Sequence, residues 1–442
     1  MTPVVLTSLR YLQLLGLARS RPVVALADQM VVSGTSFVTM IMVGRYCGAE
    51  GLGTFSLLLS LLLLANAAQL SLVCAPFTVF RLRGVDDDSP RVRAGSVATG
   101  AGFLTAVLTI LSIVAAIIVS FASTSVIAEV AAWALAISLP GYLVRDFARR
   151  FDFARLQMTG ALLLDTSVCV LQLVAIYALG RTGQLSGPRA IVLIAAASLV
   201  GSAIWFLRRR EEFTWRRERV LPTIKHDWRF GRWLMIDNLV CITQLYAMHW
   251  MLTGMIGTSA AGVFAACLSI AALANPFLQG VGNYLSPKIA ETVSLRSRGA
   301  TMVLYWRATA GLVFVVAIFT AVIFLFSQEL LGSLYKGTVD QANAGIVALL
   351  ALRMLCSAPT IAADHAVVAM ESPKASAIVS LLGVVLTVVI AYPLILRYGV
   401  TGAAVALLIG TAVESAALVV VFVHKLNRWS WHPATSTQGN FR

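Results

Sequence analysis

Charge is the first thing this chain lacks. Only 12% of its 442 residues are Asp, Glu, Lys or Arg, 59% are hydrophobic, and the mean hydropathy is +0.84. Soluble domains are about a quarter charged, so the composition excludes a soluble fold and indicates a polytopic membrane protein. Acids are scarcer than bases, 20 against 34, which leaves a net charge of +14. Lys and Arg collected in cytoplasmic loops account for that excess, and no nucleic-acid partner is expected.

Other absences narrow the chemistry. The six cysteines, at 47, 74, 169, 241, 267 and 356, form no CxxC and no His-paired spacing. Neither a disulfide framework nor a zinc site follows; most sit in apolar stretches, where Cys acts as a small hydrophobe. The chain has no GxxxxGK[ST], GxSxG or HExxH motif. Asp86-Asp87-Asp88 lies beside Arg81, Arg83, Arg91 and Arg93 and reads as a charge-balanced turn. No soluble stretch is long enough for a catalytic domain. No enzyme, metal or cofactor is therefore expected. Arg10, Arg19 and Arg21 interrupt the N-terminal apolar run, so no cleavable signal is read there. Residues 4–17 read either as an interfacial helix or as a tail.

What the chain has is apolar runs of the length that crosses a bilayer, about 20 residues. Twelve occur, at 22–44, 52–79, 94–120, 125–144, 158–180, 189–207, 233–256, 260–281, 303–327, 342–370, 376–396 and 400–423. Lipid admits only helices or closed barrels, and nothing alternates as a strand would, so an all-α membrane protein is predicted. With the N-terminus in the cytoplasm, 28 Lys and Arg fall inside and five outside: Arg45, Arg181, Arg189, Lys336 and Arg397. That asymmetry orients the chain with both termini cytoplasmic. The expected layout is a cytoplasmic segment 1–21, a six-helix lobe 22–207, a basic linker 208–232, a second six-helix lobe 233–424 and a tail 425–442.

The two lobes echo each other. Sliding Asp28–Asn66 by 209 positions lays it on Asp237–Asn275 without gaps. Asp28 falls on Asp237, Gly48 on Gly257, Gly53 on Gly262, Phe55 on Phe264, and Leu64-Ala65-Asn66 on Leu273-Ala274-Asn275. Six spans per copy is an even number, so the repeats are parallel and related by a pseudo-two-fold axis along the membrane normal. Transporters built this way bind substrate between their halves and rock one against the other.

An ionisable group inside a span costs about 2.5–3.5 kcal/mol on insertion scales and faces a cavity or a partner. Asp28 and Asp237 open equivalent helices; they take a proton, a cation or a substrate hydrogen bond, or else sit solvated at the rim. Arg353, deep in the tenth span, pairs with an acid or receives an anion. Its planar fork suits phosphate. Arg45 ends the first span and lines an outer mouth or anchors headgroups. Asn66, Gln69, Asn275 and Gln279 run along the second and eighth spans; such groups line a cleft or join helices, at under about 2 kcal/mol per bond. His249 and Asp364 are further cavity-lining candidates. Asp165 and Glu414 read as ion-pair partners.

The run ALADQMVVSGTSFVTMIMVGRYCGAEGLGTFSLLL resembles the first hairpin of the Wzx-like polysaccharide flippases of the multidrug/oligosaccharidyl-lipid/polysaccharide (MOP) exporter superfamily. Asp28-Gln29, Ser33-Gly34, Phe37, Arg45-Tyr46-x-Gly48, Gly53-x-Phe55 and Pro76 carry the likeness, and FGRWLMIDNLV, MIGTSAAGVFAA and NYLSPKIAE repeat it. LRYGVTGAAVALLIG is similar to the family's last hairpin. The resemblance implies two six-helix lobes, alternating access in a bacterial inner membrane, and an undecaprenyl-pyrophosphate-linked oligosaccharide as substrate. It also implies a polysaccharide polymerase and other assembly proteins as partners. Arg353 and Arg45 are then the expected pyrophosphate or acidic-sugar contacts, and Asp28 and Asp237 the expected proton or cation carriers. Two alternatives remain: a drug or metabolite cation antiporter of the same superfamily, and a membrane-embedded polymerase.

Overall fold

The protein is all-α. Its computed structural model describes residues 21–80, 89–123, 125–294, 298–370 and 372–428, and no strand occurs among them. The segment 1–20, the triplet Asp86–Asp88, the tail Trp429–Arg442 and the side chain of Asp237 lie outside the described residues.

The first helix, Arg21–Gln69, breaks at Gly48, whose φ of 72° and ψ of −175° glycine adopts freely. The break separates α1 (21–47) from α2 (49–80). Within α2 a π turn at Leu70–Cys74 precedes Pro76. Proline has no N–H for the carbonyl one turn back, and Ala75 instead donates to Leu70 O. Then come α3 (Pro90–Ala122), α4 (Val126–Ala154), α5 (Met158–Arg181), α6 (Gly187–Arg209) and α7 (Arg217–Met255). Helix α8 runs 258–294 through a tight turn at Ala272–Ala274, followed by α9 (Arg298–Leu334) and α10 (Ala344–Ala369). The last long helix, Pro373–Arg428, breaks at Gly399 (φ 58°) into α11 (373–398) and α12 (400–428). Starts are capped where the sequence supplies a serine. Ser89 accepts from Val92 N ahead of α3, and Ser186 from Arg189 N ahead of α6, each with proline in the first turn.

Among the described residues nine helical segments are long and apolar enough to cross a membrane. The breaks at Gly48 and Gly399 each divide one of these into two crossings. Helix α7 adds another: its second half, 233–255, is long enough to cross and mostly apolar, although Asp237, Asn238, Gln244 and His249 lower its hydropathy. The total is about twelve transmembrane helices, where the apolar runs predict them.

Packing divides the chain into two compact units: the described residues of Met1–Ala266 with Leu334–Val339, and those of Cys267–Ser333 with Asp340–Arg442. In unit 1, Phe77 stacks on Phe151 with centroids 5.3 Å apart, Trp205 meets Phe151 edge-on at 5.5 Å, and Phe213 packs on both. Phe213 lies in the stretch 208–232, read from sequence as a linker on the membrane surface. It is only 6% exposed, Thr214 N donates to Arg91 O at 3.0 Å, and Asp227 pairs with Arg93 at 2.5 Å. The basic residues of this stretch hid an aromatic anchor and an acid that fix it to α3 and α4. In unit 2, the alanine face of α10 (Ala358, Ala362, Ala363, Ala366) is fully buried, and small side chains of this kind let helices approach closely. Tyr305 and Phe422 pack beside it with ring centroids 4.5 Å apart.

The repeat is visible in unit 1. Gly48 and Gly257, matched by the 209-residue shift, both take positive φ, 72° and 132°. Phe55 and Phe264 are both buried. A Cβ on Gly53 would strike the carbonyl of Thr258, and one on Gly262 the carbonyl of Ala49. Those four residues are two matched pairs, so the contact maps onto itself when the copies are exchanged, as a two-fold contact does.

Candidate functional site

Arg145 and Arg149 stand one turn apart on α4 and so leave the same face of the helix. That face meets α1 and α5. Arg145 Nη2 lies 2.6 Å and Nε 3.0 Å from Asp165 Oδ1. Arg149 Nε lies 2.6 Å from Asp165 Oδ2, and its Nη2 donates to Asp28 Oδ2 at 2.7 Å. The same Nη2 reaches Gln29 Oε1 at 3.5 Å, and Gln29 Nε2 donates to Ser33 Oγ at 3.2 Å. The guanidinium of Arg149 also lies over the Phe153 ring, 5.1 Å from its centroid. Both aspartate side chains are fully buried. The cluster therefore holds two carboxylates and two guanidiniums, and its formal charge is zero. Neutrality makes its burial tolerable, because an unpaired buried charge is far costlier than a paired one.

This differs from the sequence expectation in one respect. The fourth span predicted from sequence ends at 144, which leaves Arg145, Arg149 and Arg150 in a cytoplasmic loop. Helix α4 instead continues to Ala154 and carries all three arginines, Arg150 pairing with Asp146 at 2.6 Å. Hydropathy stops at the first charge; it does not see that each charge has an acid waiting. The available signal was the Arg145/Arg149 spacing beside two single buried acids. Asp165, read as an ion-pair partner, has that place. One turn further along α4, Asp152 accepts from Trp205 Nε1 at 3.0 Å and lies 3.4 Å from Arg209.

Arg353 stands apart from this pattern. It lies on α10 in unit 2, and among the described residues it makes no ion pair. Its guanidinium reaches Thr411 Oγ1 at 3.5 Å and Met354 Sδ at 3.7 Å, and its Nε is buried without a hydrogen-bond partner among the described residues. Glu414, on the same helix as Thr411, is the acid that acts on it electrostatically.

The other candidates are dispersed. Arg45 is exposed at the end of α1, where its Nε donates to Leu334 O at 2.7 Å. Gln69 is fully buried and engaged, donating to Leu143 O at 2.8 Å and accepting from Thr105. Asn66 is buried with its Oδ1 unpartnered among the described residues. His249 lies edge-on to Phe264 at 5.1 Å, with Nδ1 lacking a hydrogen-bond partner among the described residues. Asn275 is half-buried and Gln279 exposed on α8; Asp364 accepts a hydrogen bond from Ser376. Asp237 lies on α7, its side chain outside the described residues.

No protein-family model and no curated protein matches the chain. Solved structures do. A multidrug resistance MATE family transporter of the MOP superfamily, in an inward-facing conformation, superposes with a TM-score of 0.74 at 16% identity, over 92% of this chain and 98% of that one. The eukaryotic MATE transporter AtDTX14 gives 0.64 at 15% identity, over 92% and 96%. An outward-facing multidrug resistance MATE family transporter of the superfamily gives 0.63 at 14% identity, over 92% and 94%. The chain thus has the fold of the MATE transporters of the MOP superfamily, along nearly its whole length.

Proposed function

We propose that the protein is a bacterial inner-membrane flippase. It moves an undecaprenyl-pyrophosphate-linked oligosaccharide across the membrane by alternating access, for polysaccharide export. One observation carries the reading: Arg353 is an intramembrane guanidinium with no carboxylate in ion-pair distance among the described residues. A cation kept at that cost awaits an anion, and arginine binds two phosphate oxygens at once. The buried acids of unit 1 are, by contrast, already neutralised by Arg145 and Arg149. The lobes 22–207 and 233–424 form the two rocking halves, with both termini in the cytoplasm. Arg45 contacts the sugar or pyrophosphate on its way out, and a polymerase takes the product.

The test is flipping of a fluorescent short-chain polyprenyl-pyrophosphate disaccharide in proteoliposomes. Arg353→Ala should slow it at least about tenfold, the loss of one charge-assisted contact; Arg353→Lys should retain part. An unimpaired Arg353→Ala would remove this residue, and with it the reading's main support. A second reading, a cation antiporter, draws on the solved neighbours described as multidrug resistance transporters. It predicts proton-driven ethidium efflux that Asp28→Asn and Asp237→Asn abolish and Arg353→Ala spares. In the flippase reading the same two acids couple translocation to a proton or cation gradient.

A further inference from the structure

Cations outside the cytoplasmic face run against the positive-inside bias, so where the few exceptions gather is informative. Of the five assigned outside, four belong to unit 1: Arg45, Arg181, Arg189 and Lys336, all exposed. Contacts place them at one end of that unit, around the end of α1. Gly44 packs against the Tyr335 ring, and Thr338 Oγ1 donates to Gly44 O at 2.8 Å. Arg45 bonds Leu334 O, two residues before Lys336. The Tyr46 ring lies on Gly180, the residue before Arg181. Gly187, two residues before Arg189, packs on the backbone at Gly51. Residues 44, 45 and 46 point about 100° apart around a helix, and each meets protein. The end of α1 is therefore enclosed by other segments of unit 1 rather than by lipid. Arg189 donates to Gln184 O, which holds its fork over the same connection. The acids in these connections are Glu50 and Asp340, and Asp340 is occupied as a helix cap on Ala342 N.

We infer that this end of unit 1 is a binding surface for a carboxylate-bearing oligosaccharide. The inference rests on the glycan reading of the function and adds to it that the glycan is acidic. In the proposed orientation the surface is on the release side, where spaced cations retain a charged sugar chain that a neutral one would leave. Guanidinium forks suit carboxylates, and several exposed cations act together where one alone contributes little.

The experiment uses the full chain in phosphatidylcholine nanodiscs, which carry no net charge, and follows binding of fluorescent hexagalacturonate and of neutral maltohexaose. Hexagalacturonate should bind and maltohexaose should not. Raising salt from about 0.01 to about 0.15 M, which shortens the screening length from about 30 to about 8 Å, should weaken binding. The combined variant Arg181→Gln, Arg189→Gln, Lys336→Gln should weaken it about tenfold, while Arg181→Lys with Arg189→Lys should retain it. Failure of the wild type to bind, the behaviour of a lipid-headgroup anchor, would overturn the inference. So would equal binding of maltohexaose, or full binding by the Gln variant. Arg353→Ala separates the two ideas: it should lose flipping and keep hexagalacturonate binding. If no variant and no wild type flips, the function fails while the surface is still judged by binding alone.

Discussion

Asp165 and Asp28 share an arginine but do not depend on it equally. Asp165 Oδ1 accepts two hydrogen bonds from Arg145 and its Oδ2 lies 2.6 Å from Arg149 Nε, so it faces two guanidiniums, whereas Asp28 Oδ2 accepts two bonds from Arg149 alone. Asp165→Asn strands Arg145 without an acid, which costs about 3–5 kcal/mol when a buried pair is broken. In Asp28→Asn the amide oxygen still accepts the two bonds from Arg149, which keeps Asp165 Oδ2 at 2.6 Å from its Nε; the loss is the charge on one acceptor, about 1.5–3 kcal/mol. Melting in detergent should therefore rank wild type above Asp28→Asn above Asp165→Asn. The reverse order of the two variants would mean that Arg149 is anchored by Asp28 and not by Asp165. Sequence made the two acids legible because each is alone in an apolar run. It did not make Arg145 and Arg149 legible, because their meaning lies in α1 and α5, and no local window contains those partners.

At the scale of elements, the duplicated hairpin was readable from a shift of 209, and the structure adds what the duplication does. Gly53 and Gly262 touch each other's copies across the approach of α2 and α8, where only the absence of a Cβ permits contact of backbone with backbone. Gly53→Ala and Gly262→Ala must each push a carbonyl aside, and rigid backbone yields poorly; overpacking of this kind costs about 1–3 kcal/mol. The two losses should be similar, because the contact is reciprocal. Gly34→Ala is the control: it lies inside α1 with nothing within 4 Å of the added carbon. There the helix gains about 0.4–1 kcal/mol from a stiffer unfolded chain. Thermal unfolding of the three variants checks this. Loss at Gly34 equal to that at Gly53 would show that close approach is not the reason. The packing of 208–232 was the element least readable, since its anchors, Phe213 and Asp227, sit among nine basic residues whose pattern says only surface.

For the molecule as a whole, parity turns on α7. Without it the apolar helices among the described residues number eleven, once the breaks at Gly48 and Gly399 are counted, and an odd number puts the two termini on opposite sides. With it there are twelve, and they share a side. The hydropathy of the second half of α7 is lowered by Asp237, Asn238, Gln244 and His249, and Arg217, Arg219, Lys225, Arg229 and Arg232 stand in its first half. Those same charges argue for crossing, because basic residues just before an apolar stretch hold that end in the cytoplasm while the stretch inserts. A reporter at each end of α7 settles it. Green fluorescent protein folds only in the cytoplasm and alkaline phosphatase only outside. Fused after Trp215, before α7, the fluorescent protein should shine; fused after Gly257, the phosphatase should be active. A full-length fusion after Arg428 should fluoresce and lack phosphatase activity. Phosphatase activity at Arg428 with fluorescence at Gly257 would leave α7 uncrossed. Arg45, Arg181 and Arg189, placed by α1, α5 and α6, would then keep their side, but Lys336, after α9, would lie on the other, against its packing at the end of α1. The second copy of the hairpin would lie inverted to the first. That would contradict the reciprocal contact of Gly53 and Gly262, which needs both hairpins to run in the same direction about their common axis.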